Sequence, residues 1–317
     1  MKTGLITEKK DWLQNEIAKL KKEKNALIMA HYYQRDEIQE IADFIGDSLA
    51  LARQAAKTDA DIIVMCGVHF MGETAKILCP DKKVVIPDAN AGCSLADSCN
   101  PEEFKEFVEA HPDHTVISYV NTSAAVKALT DIVVTSGNAR QIVEKLPEEE
   151  KIIFGPDHNL GEYINSVTGR NMLLWNGACH VHDRFSIEKI LEMKKEHPGA
   201  KILVHPECRR PLQLIADKVG STAALLDFAQ QDDAKEYIVV TESGILFEMR
   251  KKCPQKVFLA APAEDAECQC NECDFMKLNT LQKVYECLRD EKPEIVVDEN
   301  IAAEAVKPIK RMLEMSN

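Results

Sequence analysis

At 317 residues and 45% apolar composition, the chain can bury a substantial core without disulfides, and its length predicts two or three compact units. A formal net charge of −13, from 52 acidic and 39 basic residues, argues against a nucleic-acid partner. Because no apolar run approaches the ~20 residues of a membrane-spanning helix and no export signal is visible, we expect a cytoplasmic protein with reduced cysteines and no membrane partner.

The chain alternates short β-branched runs with amphipathic helical patterns, which is typical of βαβ units and parallel sheets. A helical segment, 1–25, comes first, and another, 278–317, comes last. Between them we predict three similar α/β repeats, 26–110, 111–197 and 198–277. The predicted fold class is therefore α/β, built from three related domains.

One layout recurs in the three repeats at intervals of 86 to 88 residues. Each copy runs from a strand through a polar turn and a helix into a turn of small residues, and then through a second and a third strand. A polar residue ends the first strand, and a hydroxyl residue follows 17 positions later. The three pairs are His31 and Ser48, Tyr119 and Ser136, and His205 and Thr222. Equal spacing in all three indicates copies of one structural unit.

The third strand of each repeat leads into a cysteine. These are Cys93, Cys179 and one of Cys268, Cys270 and Cys273. In parallel α/β sheets, ligand groups gather beyond the carboxyl ends of strands. We therefore expect three thiols to face a common centre, with the third ligand left open among three cysteines.

Other cysteines are expected to pack as small apolar residues, and these are Cys66, Cys79, Cys208, Cys253 and Cys287. The C-x-C-x-x-C run at 268–273 instead favours a metal site, because three thiols in six residues are costly in reactivity. Zinc is the second choice, since the sequence of a tetrahedral zinc site usually shows two pairs of closely spaced ligand residues. Three thiolates on an iron–sulfur cluster leave one iron open to a substrate oxygen or nitrogen.

Polar residues at the strand ends suit a small anionic ligand. The pairs are His31 with Tyr33, Tyr119 with Asn121, and His205 with Glu207. Hydroxyls in the small-residue turns, with N–H groups at helix starts, can hold carboxylate or phosphate. Histidine and glutamate can exchange protons near neutral pH, tyrosine can donate to a developing oxyanion, and His182 follows Cys179 closely enough to face the cluster.

Together these residues resemble the quinolinate synthase family, also called the quinolinate synthetase A family. The matching motifs include AHYYQ at 30–34, IADFIGDSLALAR at 41–53, AGCSLADSC at 91–99, YVNTSAAVKA at 119–128, GPDHNLG at 155–161, GACHVHD at 177–183, HPEC at 205–208 and VGSTAAL at 219–225. The resemblance covers nearly the whole chain, and so many motifs in one order make it specific.

The resemblance implies three αβα domains with short parallel sheets, arranged about a pseudo-threefold axis around a central cavity. It also implies one [4Fe–4S] cluster per chain, acting as a Lewis acid, with Cys93, Cys179 and Cys273 as its three protein ligands. Many family members end in C-x-x-C-x-x-C, whereas this chain has C-x-C-x-x-C, so Cys268 and Cys270 receive no role.

The family condenses iminoaspartate (iminosuccinate) with dihydroxyacetone phosphate to quinolinate, releasing phosphate and water, in NAD biosynthesis. The implied catalytic residues are Tyr33, His182 and Glu207. The implied substrate contacts are His31, Ser48, Tyr119, Val120, Asn121, Ser136, His205, Pro206, Glu207 and Thr222. The resemblance further implies a functional link to the enzyme that supplies iminoaspartate, and it is compatible with a homodimer.

Two other classes of protein fit parts of the pattern. An electron carrier or iron sensor would hold a closed cluster with four protein ligands. A zinc-stabilised sugar-phosphate binding module would be colourless after anaerobic purification. Colour, iron and sulfide content separate these two alternatives.

Overall fold

The computed structural model describes residues 2–264 and 271–316, with side chains from residue 8 onward. It divides into two compact units, Met1–Cys93 with Asp274–Ala302, and Ser94–Cys273 with Ala303–Asn317. Over the described residues, no helix combines the length and apolar character needed to cross a membrane.

The first compact unit contains a parallel four-stranded sheet in the order β2-β1-β3-β4. Its elements along the chain are α1 (Lys2–Glu23), β1 (Ala26–His31), α2 (Asp36–Ile41), β2 (Phe44–Gly46), α3 (Ser48–Ala55), β3 (Ile62–Cys66), α4 (His69–Leu78) and β4 (Lys83–Val85). The central strand β3 is an unbroken apolar run, IIVMC, buried at every position. Such a strand is typical of a parallel sheet covered on both faces.

The second compact unit contains two more parallel four-stranded sheets, in the orders β6-β5-β7-β8 and β10-β9-β11-β12. The first is built from α5 (Ser94–Asp97), α6 (Pro101–Glu109), β5 (Thr115–Tyr119), α7 (Ala124–Lys127), β6 (Ile132–Val134), α8 (Ala139–Glu144), β7 (Ile152–Gly155), α9 (His158–Thr168) and β8 (Leu173–Leu174). After a 3₁₀ turn at His182–Arg184, the second is built from α10 (Ile187–Glu196), β9 (Lys201–Val204), α11 (Arg210–Leu214), β10 (Lys218–Val219), α12 (Thr222–Gln231), β11 (Glu236–Val240), α13 (Ile245–Lys252) and β12 (Val257–Ala260).

Three helices close the chain, α14 (Asp274–Lys277), α15 (Leu281–Asp290) and α16 (Glu299–Met315). The apolar face of α15 packs with α1 against the first sheet, where Ile17, Val284 and Leu288 join the core around Ile28. Helices α1, α15 and α16 lie within the two terminal segments, 1–25 and 278–317.

All three sheets share one strand order, which confirms the predicted α/β class and is compatible with three αβα units. The sequence predicted three strands per repeat, and the structure has four. The missed strands are β2, β6 and β10, each of two or three residues at a sheet edge. Runs this short carry no measurable period-2 signal, so hydrophobic alternation does not reveal them.

The same side-chain hydrogen bond fixes this short strand in each sheet. An aspartate just before it accepts from a backbone N–H near the start of the first strand, at 2.8–2.9 Å. The acceptor and donor pairs are Asp43 with Ile28, Asp131 with Val116, and Asp217 with Ile202. Each pair is 15 residues apart, so the repeats agree at the level of single bonds.

Candidate active site

Predicted residues from the second and third repeats meet inside the second compact unit. Tyr119 ends β5, and its hydroxyl donates to the carboxylate of Glu207, which follows β9 by three positions. His205 Nε2 lies 3.2 Å from Ser136 Oγ. Both contacts join the carboxyl ends of parallel strands in neighbouring sheets, which is where α/β proteins place ligand groups.

Glu207 is a buried carboxylate surrounded by hydrogen-bond donors. Its Oε2 lies 3.1 Å from His182 Nδ1, and its Oε1 lies 3.7 Å from His205 Nδ1. The two imidazole rings stack, with centroids 4.6 Å apart. Burial raises the pKa of Glu207, but the charges of His182 and His205 and the hydrogen bonds from His182 and Tyr119 outweigh it and bring the pKa to about 2. Glu207 is therefore ionised at neutral pH.

Cys179 lies beside this carboxylate. Its sulfur is 3.3 Å from His182 Nδ1, and the other ring nitrogen of His182 lies 2.9 Å from Thr241 Oγ1. Ligand atoms of Cys179, His182 and Glu207 all fall within 4.8 Å of one another. Thiolate, imidazole and carboxylate are all metal ligands, so this trio is a metal-capable group.

Two buried carboxyl groups fix the backbone at the second and third cysteines. Asp157 Oδ2 accepts from the N–H of Cys179 at 3.2 Å, and Glu242 Oε1 accepts from the N–H of Cys273 at 3.1 Å. Burial and the charge of Glu207 raise the pKa of Asp157 well above its ordinary value. These two acids were not predicted from the sequence. Asp157 lies two residues after the buried strand β7, and Glu242 lies two residues after the buried strand β11.

A recurring backbone hydrogen bond shows which cysteine of the third repeat corresponds to the others. In each repeat the carbonyl two residues before the cysteine accepts an N–H from the segment after the central strand. The donor and acceptor pairs are His69 with Ala91, His158 with Gly177, and Ser243 with Asn271. The cysteines two residues on are Cys93, Cys179 and Cys273, so Cys273 occupies the equivalent position. Cys268 and Cys270 lie outside the described residues.

Burial separates the described cysteines into two groups. Cys93, Cys179 and Cys273 are partly exposed, whereas Cys66, Cys79, Cys99, Cys208, Cys253 and Cys287 are buried. Burial raises the pKa of Cys99 and of Cys287 to about 12, which keeps these thiols protonated. Five cysteines were predicted to pack as small apolar residues, and their burial confirms this: Cys66, Cys79, Cys208, Cys253 and Cys287. The three accessible thiols fit the donor set that an iron–sulfur cluster requires.

The first compact unit holds the predicted residues of the first repeat. His31 ends β1 and is buried, and its Nδ1 accepts the N–H of Tyr33 at 3.2 Å. The two rings pack edge to face, with centroids 4.4 Å apart. The third repeat has the same geometry, with the N–H of Glu207 directed at His205 Nδ1 at 3.4 Å. Ser48 opens α3 directly after the N-cap Asp47.

The hydroxyl residues differ in their position relative to the helices. Thr222 opens α12 after the N-cap Ser221, as Ser48 opens α3. Ser136 instead lies in a turn before α8, whose N-cap is Asn138. All three hydroxyls thus lie in or directly after the turn that precedes a helix, but Ser136 is three residues before the first helical residue. Asn138 Oδ1 accepts from the N–H of Thr135 at 2.6 Å, and this closes an extra turn before the helix.

The remaining predicted contacts lie in the same strand-end loops. Val120 and Pro206 are buried. Asn121 Oδ1 is buried and has no hydrogen-bond partner among the residues that the structure describes. A buried acceptor without a donor is unfavourable, so this atom is suited to a ligand donor.

A further set of buried side chains, missed from the sequence, fixes these loops. In each repeat one side-chain nitrogen donates to two loop carbonyls, five and seven residues before it. The donors are Gln39, to Gln34 and Tyr32; Lys127, to Thr122 and Val120; and Gln213, to Cys208 and Pro206. The loops that carry Tyr33, Asn121 and Glu207 are thus held in one conformation.

Comparison with known proteins agrees with this geometry. A family model described as Quinolinate synthetase A protein matches residues 15–314. The quinolinate synthases of Chloroherpeton thalassium and Microcystis aeruginosa are each 55% identical over 96% of this chain, and 94% and 96% of their own lengths are covered. That of Thermosynechococcus vestitus is 56% identical over 95% of this chain and 94% of its own length. The resemblance read from the motifs is confirmed, and the chain belongs to the quinolinate synthetase A protein family.

Proposed function

We propose that this chain is a quinolinate synthase in NAD biosynthesis. It condenses iminoaspartate with dihydroxyacetone phosphate, releases phosphate and water, and closes the ring of quinolinate. Family membership supports the activity, because relatives about 55% identical over nearly the whole chain are named quinolinate synthases. The observation that carries the proposal is the ionised Glu207, joined to Tyr119 and His182 beside the accessible thiol of Cys179.

The proposal includes one [4Fe–4S] cluster per chain, held by Cys93, Cys179 and Cys273. These are the three partly exposed thiols in the described part of the chain, and they occupy equivalent positions in the three repeats. When bound, the cluster supplies an open iron that can polarise a departing oxygen as a Lewis acid.

The buried acid and base groups divide the proton transfers. Glu207, with a pKa of about 2, holds no proton at neutral pH and serves as a fixed negative charge. That carboxylate accepts the Tyr119 O–H and so fixes the hydroxyl, whose oxygen can accept a hydrogen bond from a substrate donor. His182, whose Nδ1 lies 3.1 Å from Glu207 Oε2, is placed to pass a proton to or from a substrate. Tyr33, packed against His31, is a second proton-transfer residue.

Fixed donors and acceptors hold the two substrates. Ser48 and Thr222 stand at helix N-termini, where hydroxyl and N–H groups favour carboxylate or phosphate. Ser136 is held near His205, and Asn121 Oδ1 can accept from a substrate N–H or O–H. Preorganised positioning of two small molecules supplies much of the rate enhancement.

The finer features of the fold belong to the same proposal. They are three αβα domains at 26–110, 111–197 and 198–277, flanked by helical segments 1–25 and 278–317, about a pseudo-threefold axis with a central cavity. The common strand order of the three sheets supports them. We further propose a cytoplasmic enzyme that receives iminoaspartate from the enzyme producing it and assembles as a homodimer.

Anaerobic purification followed by an assay for quinolinate tests this function. We expect iron and sulfide in the protein, and quinolinate formed only when iminoaspartate and dihydroxyacetone phosphate are both present. We also expect the electron paramagnetic resonance signal of the reduced protein to change when a dicarboxylate product analogue is added. A cluster whose signal ignores the dicarboxylate, in a protein that makes no quinolinate, would identify an electron carrier instead.

A further inference from the structure

The thiol of Cys179, the imidazole of His182 and the carboxylate of Glu207 have nearly the geometry of a mononuclear metal site. His182 Nδ1 lies 3.3 Å from the Cys179 sulfur and 3.1 Å from Glu207 Oε2. A tetrahedral zinc ion, with bonds of ~2.3 Å to sulfur and ~2.0 Å to nitrogen and oxygen, separates such pairs by roughly 3.3–3.6 Å. These two pairs need shifts of only a few tenths of an ångström, and the third pair, the Cys179 sulfur and the Glu207 oxygen, lies within 4.8 Å and would close on the ion.

We propose that the cluster-free chain binds one Zn²⁺ ion through Cys179, His182 and Glu207, and that this ion blocks assembly of the iron–sulfur cluster. A thiolate with an imidazole suits zinc, whereas magnesium and calcium prefer oxygen ligands. Three protein ligands leave the fourth tetrahedral position for water. Because Cys179 is also a proposed cluster ligand, zinc and the cluster exclude each other.

The groups around the trio are arranged as the outer shell of a metal site requires. His182 Nε2 is hydrogen-bonded to Thr241 Oγ1 at 2.9 Å, which fixes the ring and leaves Nδ1 toward the metal. The second oxygen of Glu207 accepts from the Tyr119 hydroxyl, so Oε2 is the oxygen left for the ion. Asp157 Oδ2 accepts a hydrogen bond from the backbone N–H of Cys179. Each ligand is thus oriented before the ion arrives.

Charge favours a divalent ion at this position. The Cys179 thiolate and the Glu207 carboxylate supply two negative charges, and an imidazole bound to a metal through Nδ1 supplies none. Zn²⁺ balances them, which matters because His182 and Glu207 are only 2% and 3% exposed. A buried site with no net charge avoids the desolvation cost of an unbalanced ion.

Titration of the anaerobic, cluster-free full-length protein with Co²⁺, followed by displacement with Zn²⁺, tests the site. We expect one equivalent of Co²⁺ to bind with tetrahedral visible bands and the charge-transfer absorption of a single thiolate. Cys179→Ala should abolish the charge-transfer band, and the near-isosteric Glu207→Gln should weaken binding at least ~10-fold. Thr241→Val should weaken it by roughly 10-fold while the single-thiolate spectrum persists. Circular dichroism of each variant checks its fold.

Cys93→Ala is the matched control, because Cys93 is a proposed cluster ligand outside the trio. This variant should bind Co²⁺ and Zn²⁺ like the wild type while it fails to assemble a cluster. Zinc-loaded wild type should take up no iron or sulfide until a chelator removes the zinc. Undiminished affinity in Cys179→Ala, or equal loss in Cys93→Ala or Cys273→Ala, would overturn the proposal. The zinc site stands or falls separately from the proposed enzymatic activity, since the Co²⁺ spectra require no turnover.

Discussion

Exposure decides what each described cysteine can do. Burial raises the pKa of Cys66 and Cys208 well above the ordinary value, so these thiols stay protonated and pack as apolar groups. Cys93, Cys179 and Cys273 are accessible to a metal centre. A thiol must lose its proton to bind iron, and only an accessible one does so at small energetic cost.

We predict that Cys93→Ala, Cys179→Ala and Cys273→Ala each abolish cluster assembly, because a cluster with two protein thiolates is not retained. Cys66→Ala is the control, since it removes a buried thiol of the first core and should keep the cluster. Iron and sulfide analysis after anaerobic reconstitution measures the outcome. A normal iron content in any of the first three variants would remove that cysteine from the ligand set.

Glu207 gives a pH-dependent contribution to stability. Its folded-state pKa of about 2 lies below the ordinary value of 4.5, so the ionised carboxylate stabilises the fold above pH 4.5. That contribution is lost as the pH falls from 4.5 toward 2. We expect wild type to exceed Glu207→Gln in free energy of unfolding by up to ~3 kcal/mol at neutral pH, with the difference shrinking in acid.

Denaturant unfolding at several pH values measures this difference. Glu192→Gln, which changes an exposed glutamate of α10, is the control and should match wild type throughout. A Glu207→Gln difference that stays constant or widens in acid would show that the neighbouring imidazoles do not stabilise the charge.

Strand-end residues could be predicted from the sequence because they recur at a fixed spacing, as His31, Tyr119 and His205 do. Asp157 and Glu242 could not, because the first repeat has Val68 at the corresponding position. Their function also depends on a backbone N–H more than 20 residues away, at Cys179 or Cys273. No local sequence pattern predicts a hydrogen-bond partner at that distance along the chain.

At the level of elements, the strand-end loops keep their shape through one buried donor each. Gln39 and Gln213 use a side-chain amide, whereas the second repeat uses the ammonium of Lys127, which is fully buried. Each donor bonds two buried loop carbonyls, of which Val120 O also accepts from the N–H of Thr122. The position needs two N–H donors, and glutamine and lysine both supply them.

We therefore predict that Lys127→Gln keeps most of the stability, because the equivalent glutamines make the same two bonds. Lys127→Leu leaves both loop carbonyls without this donor and should lower the free energy of unfolding by at least ~2 kcal/mol. Urea unfolding of the two variants measures the contrast. Equal destabilisation by both substitutions would mean that the ammonium charge, and not the pair of hydrogen bonds, is required.

Helices and central strands followed from the sequence, because apolar runs such as Ile62–Cys66 are long enough to be recognised. The edge strands β2, β6 and β10 did not, since they form only by pairing with β1, β5 and β9. Their position is set by Asp43, Asp131 and Asp217. The spacing of 15 residues from donor to acceptor is a recurring signal that could have located them.

At the scale of the whole molecule, the three repeats contribute different chemistry from one backbone plan. The second and third repeats supply the Tyr119, Glu207 and His182 contacts, and the first supplies the His31 and Tyr33 pair. The sequence predicted which strand-end residues each repeat supplies. Which of them touch depends on how sheets pack together, and a repeat spacing carries no information on that.

In the proposed function, each repeat contributes one side-chain hydroxyl that contacts a substrate. Stabilisation of the protein by its ligands can test this for the entire chain. A ligand at 100 times its Kd that binds only the folded state stabilises it by about 2.7 kcal/mol. Quinolinate and dihydroxyacetone phosphate should therefore each raise the thermal midpoint of the anaerobic wild-type protein.

Removing any one of the three hydroxyls should reduce that shift for at least one ligand, since a hydrogen bond to a charged group contributes ~1.5–3 kcal/mol. The variants are Ser48→Ala, Ser136→Ala and Thr222→Val. Ser166→Ala, at an exposed serine of α9, should keep both shifts in full. If one repeat's hydroxyl could be removed without any effect on either ligand, that repeat would contribute to the fold and the cluster but not to substrate binding through this residue.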